Sequence, residues 1–362
     1  MFSHTSVVYH ILHMGKTKSH VDVLIIGQGI AGSFLAHFLE KKGKTVCILS
    51  SKTIPNASKA AAGLMQRISG KFLTIPPLID SCFAESVDIY RSLEQEWGIP
   101  LISKHTTIRC LNSIQKKRWK KISKRNLYSS LSSLECKSRS LSSLTLDDSI
   151  ELFDTYLVNP SLLLNTFYDY FNAKDMYRES IFNPENLTLH PQGISYDSMT
   201  SDHLIFCCGS HISELDFFSH IPFDNVKGET LEFYSDHHIN SIIQKDHFIV
   251  PYGSQHFKIG ATYDRKLNYL PTKHGYHQLV DSIQDLGFSN SQILQHNTGI
   301  RCFSNDKKPI VGWHPLYKNL GIFGGLGSRG YITAPSLAKQ WAHDFPNYTT
   351  CLRSCDVTRF CV

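Results

Sequence analysis

The stretch VDVLIIGQGIAGSFLAHFLEKKGKTVCILS, residues 21–50, decides how the rest of the chain is read. Residues 21–26 are apolar apart from Asp22 and do not alternate, the pattern of a parallel strand covered by helices on both faces. The turn GQGIAG follows at 27–32. Residues 33–42 place Phe34, Leu35, Phe38 and Leu39 on one helical face and run into Lys41, Lys42 and the breaker Gly43, so a helix is predicted there. Residues 45–49, with Val46 and Ile48, predict a second strand, and the whole is one βαβ unit. In such a unit Gly27 permits the tight turn, Gly29 lets backbone approach a pyrophosphate, and Gly32 lets the helix pack close to the strand. The helix start at Ile30 and Ala31 points free amides at the phosphates. A dinucleotide site is therefore expected at 27–32. One position departs from the usual fingerprint. Ser50 ends the second strand where an acid commonly holds the ribose hydroxyls, and its hydroxyl can bond ribose only without charge assistance.

Outward from this unit the patterns alternate. An amphipathic helix is expected over 83–97, and a serine-rich stretch at 123–145, from Ser129 to Ser143, reads as a loop-rich excursion. A second α/β pattern covers 159–209, with a helix at 162–171 and a strand at 204–207. Residues 226–263 are short strands broken by Gly228, Pro251, Gly253 and Gly260, as in an antiparallel sheet. Residues 320–341 return to strand, glycines, helix.

Composition narrows the class. The 362 residues, 41% hydrophobic, suffice for one large α/β domain or two sharing a core. Apolar runs are strand-length, so no membrane span is expected. The first 20 residues lack the pattern of a secretory signal, and Met14 is a candidate start. Ten scattered cysteines read as reduced thiols of a cytoplasmic protein. Cys351, Cys355 and Cys361 cluster without a nearby histidine, so no metal site is assigned. Seven basic residues, Lys116, Lys117, Arg118, Lys120, Lys121, Lys124 and Arg125, fall within 116–125. Without those seven the net charge of +6 becomes −1. The block reads either as a solvated helix face, with Ile114, Trp119 and Ile122 on the buried stripe, or as a contact for an anionic partner such as tRNA.

An ordered series of motifs resembles the D-amino-acid oxidase family of flavoproteins, which includes glycine oxidase and sarcosine oxidase. NASKAAAGLM at 56–65 is similar to the segment that runs beneath the flavin, which implies cofactor contacts at Ser58, Ala62, Gly63 and Leu64. SDHLIFCCGSH at 201–211 resembles the strand closing the nucleotide domain, with Gly209 at its end. VKGETLEF at 226–233 and FIVPYGSQHFKIGATYD at 248–264 resemble the sheet that roofs the substrate pocket. GIRCFSNDKKPIVGWHP at 299–315 and GIFGGLGSRGYITAPSLAKQ at 321–340 resemble the segments that bring an arginine to substrate and the chain back to the flavin. The resemblance implies FAD on a Rossmann-like, three-layer α/β domain built from residues 20–75, 155–222 and 298–345. It also implies an α+β substrate domain with an antiparallel sheet from 76–154 and 223–297, between a flexible extension at 1–19 and a tail at 346–362.

Flavin oxidation of an amine takes a hydride from the carbon bearing nitrogen and leaves an imine that water hydrolyses, so the protein chiefly positions substrate. The resemblance puts Arg301 at the carboxylate clamp, where a planar guanidinium suits two parallel charge-assisted bonds; an ion pair with Asp306 is the other reading. It also puts Gly324, Gly325, Leu326, Gly327, Ser328, Arg329 and Gly330 against the flavin ring. Phe248 stands where several relatives carry a tyrosine, which leaves a hydroxyl contact to Tyr252 or Tyr263. The expected activity is oxidation of a C–N bond in a small amine or amino acid. GIRC, IGATYD and GLGSRG are also similar to the flavin domain of the bifunctional enzyme completing 5-methylaminomethyl-2-thiouridine in bacterial tRNA, so removal of a carboxymethyl group from a wobble uridine is the alternative. A flavin-binding protein without turnover is the third. Substrate, electron acceptor and oligomeric state are not assigned by these motifs.

Overall fold

The computed structural model describes residues 19–141, 144–288, 290–347 and 353–361. The expected extension at 1–19 therefore lies, except for Ser19, outside the described residues, as do Met14, Ser142, Ser143 and Cys351.

The βαβ unit forms as read. The strand Ser19–Ile26 and the strand Val46–Ser50 pair in parallel with Val23 opposite Val46, and the helix Ile30–Lys41 connects them. On its other side the first strand pairs in parallel with Met199–Phe206, which pairs with Leu320–Gly324. Tyr177–Glu179 and the antiparallel Ile310–Trp313 extend the two edges. The apolar run has a simple explanation. Val23 and Ile25 face a core shared with Phe34, Tyr90, Phe167 and Trp341, while Leu24 and Ile26 face a second core with Phe206, Phe218 and Val357. Both faces of the strand are dry, so alternation would bury polar groups at a cost of kilocalories. The helices Pro77–Trp97, Pro160–Ala173 and Gly330–Asp344 supply the first of these cores.

Among the described residues the second sheet has nine strands, running from Gln292–Arg301 through Val226–Tyr234, His256–Gly260, Phe248–Pro251, Ile242–Gln244, Ile102–Cys110 and Leu144–Val158 to Leu64–Gln66, with Lys137–Leu141 as a ninth beside Leu144–Val158. It is antiparallel except where Ile242–Gln244 lies parallel to Ile102–Cys110. Strand pairing crosses the expected domain limits. Leu64–Gln66, residues 155–158 and residues 298–301 belong to this second sheet, so the same strands serve both halves.

Three readings change. The serine-rich stretch is loop-rich only in its first part: Lys137–Leu141 pairs with Leu144–Val158, and Leu131 and Ser132 are buried. Its hydroxyls bond the backbone, Ser132 Oγ donating to the Tyr128 carbonyl at 2.6 Å and Ser133 Oγ accepting from Glu151 N at 2.9 Å. Local composition cannot report a partner strand. In the basic helix Ser113–Ile122, Trp119 and Ile122 are buried but Ile114 is 77% exposed and off the stripe. The tail, which the sequence reading left without structure assigned, packs on the fold over 353–361, where Cys355 and Val357 are buried and Asp356 bridges to Val311.

His37 sits in the first core among the rings of Phe38, Trp97, Phe167 and Tyr170, and its Nδ1 has no hydrogen-bond partner. Burial lowers its pKa from 6.5 to about 4. The folded state thus binds fewer protons than the unfolded state between those values, so stability falls as pH drops from about 6.5 to about 4, by about 3 kcal/mol in all. His37→Leu, of similar volume, is expected to flatten that part of the pH–stability curve in urea titrations. An unchanged slope would assign the acid sensitivity to other groups.

Candidate active site

A cavity of about 1380 Å³ opens where the parallel strands end and the second sheet begins. That exceeds the roughly 300–1,000 Å³ of most small-ligand pockets and leaves room for a dinucleotide with a substrate beside it. Its floor is the glycine turn. Gly27 has φ +103°, and a Cβ there would stand 2.8 Å from the Cys207 carbonyl oxygen. A Cβ on Gly32 would stand 2.0 Å from the Gly27 oxygen, so these two glycines are demanded by the fold itself. Gly29 differs. Its φ is −83° and a Cβ would meet nothing closer than Ser58 Oγ at 3.4 Å, so the space it keeps clear belongs to the cavity.

Hydroxyls at the two predicted serines hold this turn. Ser50 Oγ accepts from Gln28 N at 3.1 Å and Ser58 Oγ accepts from Ile30 N at 3.2 Å. Ser50 keeps its own proton available for a ligand hydroxyl. Helix starts leave amides without intrahelical partners, and Ile30 and Ala31 bring that positive end to the cavity wall. Asn56 caps the short helix Ala57–Ala60, its side chain accepting from Ser58 N at 2.9 Å, and Ala62, Gly63 and Leu64 continue the lining. Gly209 and the run Gly324, Gly325, Leu326, Gly327, Ser328, Arg329 and Gly330 close the opposite side.

Arg301 reaches the same cavity from the end of the strand Gln292–Arg301. Its Nη2 donates to the Thr262 carbonyl at 2.7 Å and the Lys227 carbonyl at 3.3 Å, and the Tyr263 ring lies 5.7 Å from the guanidinium carbon. Its Nε is buried without a partner. No carboxylate lies within 4 Å among the described residues, and burial lowers its pKa from the ordinary value, although a guanidinium stays charged. The ion pair with Asp306 does not form. Asp306 accepts from Arg359 at 2.9 Å and Ser304 at 2.6 Å instead. Arg329, a second half-buried cation of the wall, donates to Ser69 Oγ at 2.7 Å.

Phe248 lines the cavity, but Tyr252 does not. Tyr252 faces a separate cleft of about 600 Å³, and its hydroxyl donates to the Ala62 carbonyl at 3.0 Å. Burial and that bond give it a scaffolding position, not the substrate contact anticipated for it. Tyr263 is 59% exposed and reaches the site only through its ring against Arg301. Two participants escaped the sequence reading. Gly228, taken there as a strand breaker, is the seat of the arginine, since a Cβ would lie 2.6 Å from Arg301 Nη2. Gln66 is buried at the wall with Nε2 unpartnered, and no local signal marks an amide as facing a cavity.

The open space at Gly29, the amide-rich helix start and the orphaned donors of Arg301 and Gln66 fit a large, anionic, polar-edged group of the FAD type. Gly29→Leu is expected to leave secondary structure and the urea midpoint near wild type while the protein purifies colourless. Gly32→Leu is expected to lower the midpoint itself, because its side chain collides with backbone. Equal flavin content in wild type and Gly29→Leu would show that the cleared space holds no phosphate.

Known proteins share this architecture. Glycine oxidase from Geobacillus kaustophilus superposes with a TM-score of 0.75 at 17% identity, covering 94% of this chain and 99% of that one. Iminodiacetate oxidase from Chelativorans sp. BNC1 superposes at 0.72 and 18% identity, covering 92% and 98%. In sequence, the tRNA 5-methylaminomethyl-2-thiouridine biosynthesis bifunctional protein MnmC of Legionella pneumophila (strain Corby) is 24% identical over 380 residues, 90% of this chain and 54% of that protein. The chain thus spans about half the length of the curated relatives it matches. Among the described residues, no helix is long and apolar enough to cross a membrane. Residues 22–343 match the family DAO, FAD dependent oxidoreductase, and with the nucleotide turn and cavity in place the chain belongs to that family and is an FAD-dependent oxidoreductase.

Proposed function

We propose that this enzyme oxidises the C–N bond of an amine bearing an N-carboxymethyl group, with Arg301 holding the carboxylate. The observation that carries the reading is a half-buried guanidinium with a fully buried Nε, without a carboxylate partner among the described residues, on the wall of the cavity that also contains the glycine turn. A buried cation lacking a counter-charge is costly, and a substrate carboxylate relieves it. Bound FAD supplies the acceptor for the hydride of the N–CH₂ carbon. The secondary amine loses that hydride and its N–H proton, and water adds to the resulting imine, releasing the free amine and glyoxylate. Arg301 fixes one end of the substrate, Phe248 offers an apolar wall, and Gln66 has an amide donor left for a polar atom. Orientation of this kind is the protein's main contribution when the cofactor does the chemistry.

Two of the structural neighbours are named for substrates with that feature, since glycine and iminodiacetate are carboxymethylamines. A second reading has its own support. The curated relatives are named for 5-methylaminomethyl-2-thiouridine biosynthesis in tRNA, and a carboxymethyl group on the aminomethyl arm of a wobble uridine presents the same N–CH₂–carboxylate unit. The same removal would then leave an aminomethyl nucleoside and glyoxylate.

Arg301→Ala should fold and stay yellow, with kcat/KM for an N-alkylglycine falling roughly ten- to a hundredfold, as expected for loss of a bond to a charged group. Arg301→Lys should recover part of the loss, since it restores charge but not the two-pronged plane. The matching N-alkylamine without a carboxylate should lose far less. Equal losses on both substrates would make Arg301 a structural residue.

A further inference from the structure

The cavity rim continues outward into a surface of a different character. Ser69 and Gly70 belong to the cavity wall, and two residues further on the ring of Phe72 stands 57% exposed. Lys71 Nζ lies 5.0 Å from the centre of that ring and the Arg118 guanidinium 5.8 Å from it. Arg118 comes from the helix Ser113–Ile122, which is tied to the rim through Gln115, whose Nε2 donates to the Lys71 carbonyl at 3.3 Å, while Arg109, on the strand Ile102–Cys110, holds the rim itself by donating from Nη2 to the Gly70 carbonyl at 2.8 Å. The helix turns Trp119 and Ile122 inward, which leaves Lys117, Arg118, Lys120 and Lys121 exposed on the outer face, followed by exposed Lys124 and Arg125. Lys116 is spoken for, at 2.6 Å from Asp148. The other six have no acidic partner within 4 Å among the described residues.

An aromatic ring 57% exposed with two cations within 6 Å of its centre is an unusual thing to leave in water, and a row of uncompensated cations beside it suits a regularly spaced polyanion. We propose that this surface is an RNA-docking track: an unpaired base stacks on Phe72 at the cavity mouth while the backbone phosphates on one side of it run along Lys117, Arg118, Lys120 and Lys121. The proposal rests on the reading of a carboxymethylated nucleoside as substrate. It adds where the strand lies and which neighbour of the reacting nucleotide is gripped. Single-stranded recognition commonly combines these two elements, a stacking platform and a basic groove. The track lies outside the residues that hold cofactor and carboxylate, so it can be altered alone.

The test uses the flavin-loaded protein and a short RNA hairpin with an unpaired loop, titrated by fluorescence anisotropy over a series of salt concentrations. The quadruple variant K117Q/R118Q/K120Q/K121Q should lower the slope of log K against log salt by about 3, from about 0.7 per phosphate contact on a single strand. Phe72→Ala should weaken hairpin binding roughly tenfold with little change in slope, and Phe72→Trp should restore it. Both sets should oxidise an N-alkylglycine at the wild-type rate, which also shows that they are folded. Wild-type protein with no salt-sensitive hairpin binding, or variants that bind hairpin as wild type does, would overturn the track. So would wild-type protein that binds phosphatidylserine vesicles more tightly than the hairpin. Failure of the function is separable: hairpin binding lost on these substitutions, in a protein that oxidises no N-carboxymethylamine, would sink the substrate reading and leave the track standing.

Discussion

Three consecutive carbonyls tie the segment behind the nucleotide turn to the second sheet. Ala60, Ala61 and Ala62 each accept a bond from a different part of the second sheet, from Thr230 Oγ1 at 3.1 Å, Lys258 Nζ at 3.2 Å and, one residue past the strand Phe248–Pro251, Tyr252 Oη at 3.0 Å. The backbone of this segment is too irregular to satisfy itself, and buried carbonyls left unpaired are expensive. The lysine is itself buried, with Glu232 at 3.1 Å as its counter-charge, and burial lowers its pKa from the ordinary value. On the same segment, Ala57 and Ala60 come so near Gly299 that a Cβ there would collide with Ala57 at 2.7 Å. The spacing between the nucleotide turn and the roof sheet is thereby set by hydrogen bonds and backbone contact, and the cavity inherits its width from them.

The position of Arg301 follows from that spacing. Its strand is pressed against the alanine segment through Gly299, and its guanidinium lies over the backbone of Gly228 on the neighbouring strand. Carbonyls of Lys227 and Thr262 take two of its protons but bring no negative charge. A neighbouring group shows what full compensation looks like. Lys227, fully buried, has Glu229 at 3.0 Å, and Glu229 is further held by Thr272 and by His296 at 2.7 Å. One roof cation is thus neutralised by the protein itself, and the other, one strand away, has no carboxylate partner among the described residues. That contrast within a single sheet supports a substrate role for Arg301 more strongly than its burial alone.

Much of the nucleotide half was legible in local pattern. An unbroken apolar strand, three glycines in register and a helix face at 34, 35, 38 and 39 determine one another within thirty residues, because each follows from short-range geometry. The roof sheet was legible only as short strands. Its order, its one parallel pair and the conversion of the serine-rich stretch into a paired strand depend on partners distant in sequence. The site divides in the same way. Gly27, Gly29 and Gly32 were readable from the turn, whereas Gly228 and Gln66 matter only through what lies across the cavity from them.

The sequence by itself determined the βαβ unit, the nucleotide turn and, through an ordered run of motifs, the family resemblance. Tertiary structure alone decided that Arg301 has no carboxylate partner among the described residues while Asp306 is taken by Arg359. It alone placed Tyr252 on a carbonyl and away from the cavity, and set an exposed Phe72 within 6 Å of Lys71 and Arg118 beside the rim. The physical reason is the range of the forces involved. Helix and turn preferences act over a few residues, so they are written in neighbouring letters, but a charge or a hydroxyl acquires its role from whichever groups the folded chain leaves within about 3–4 Å of it.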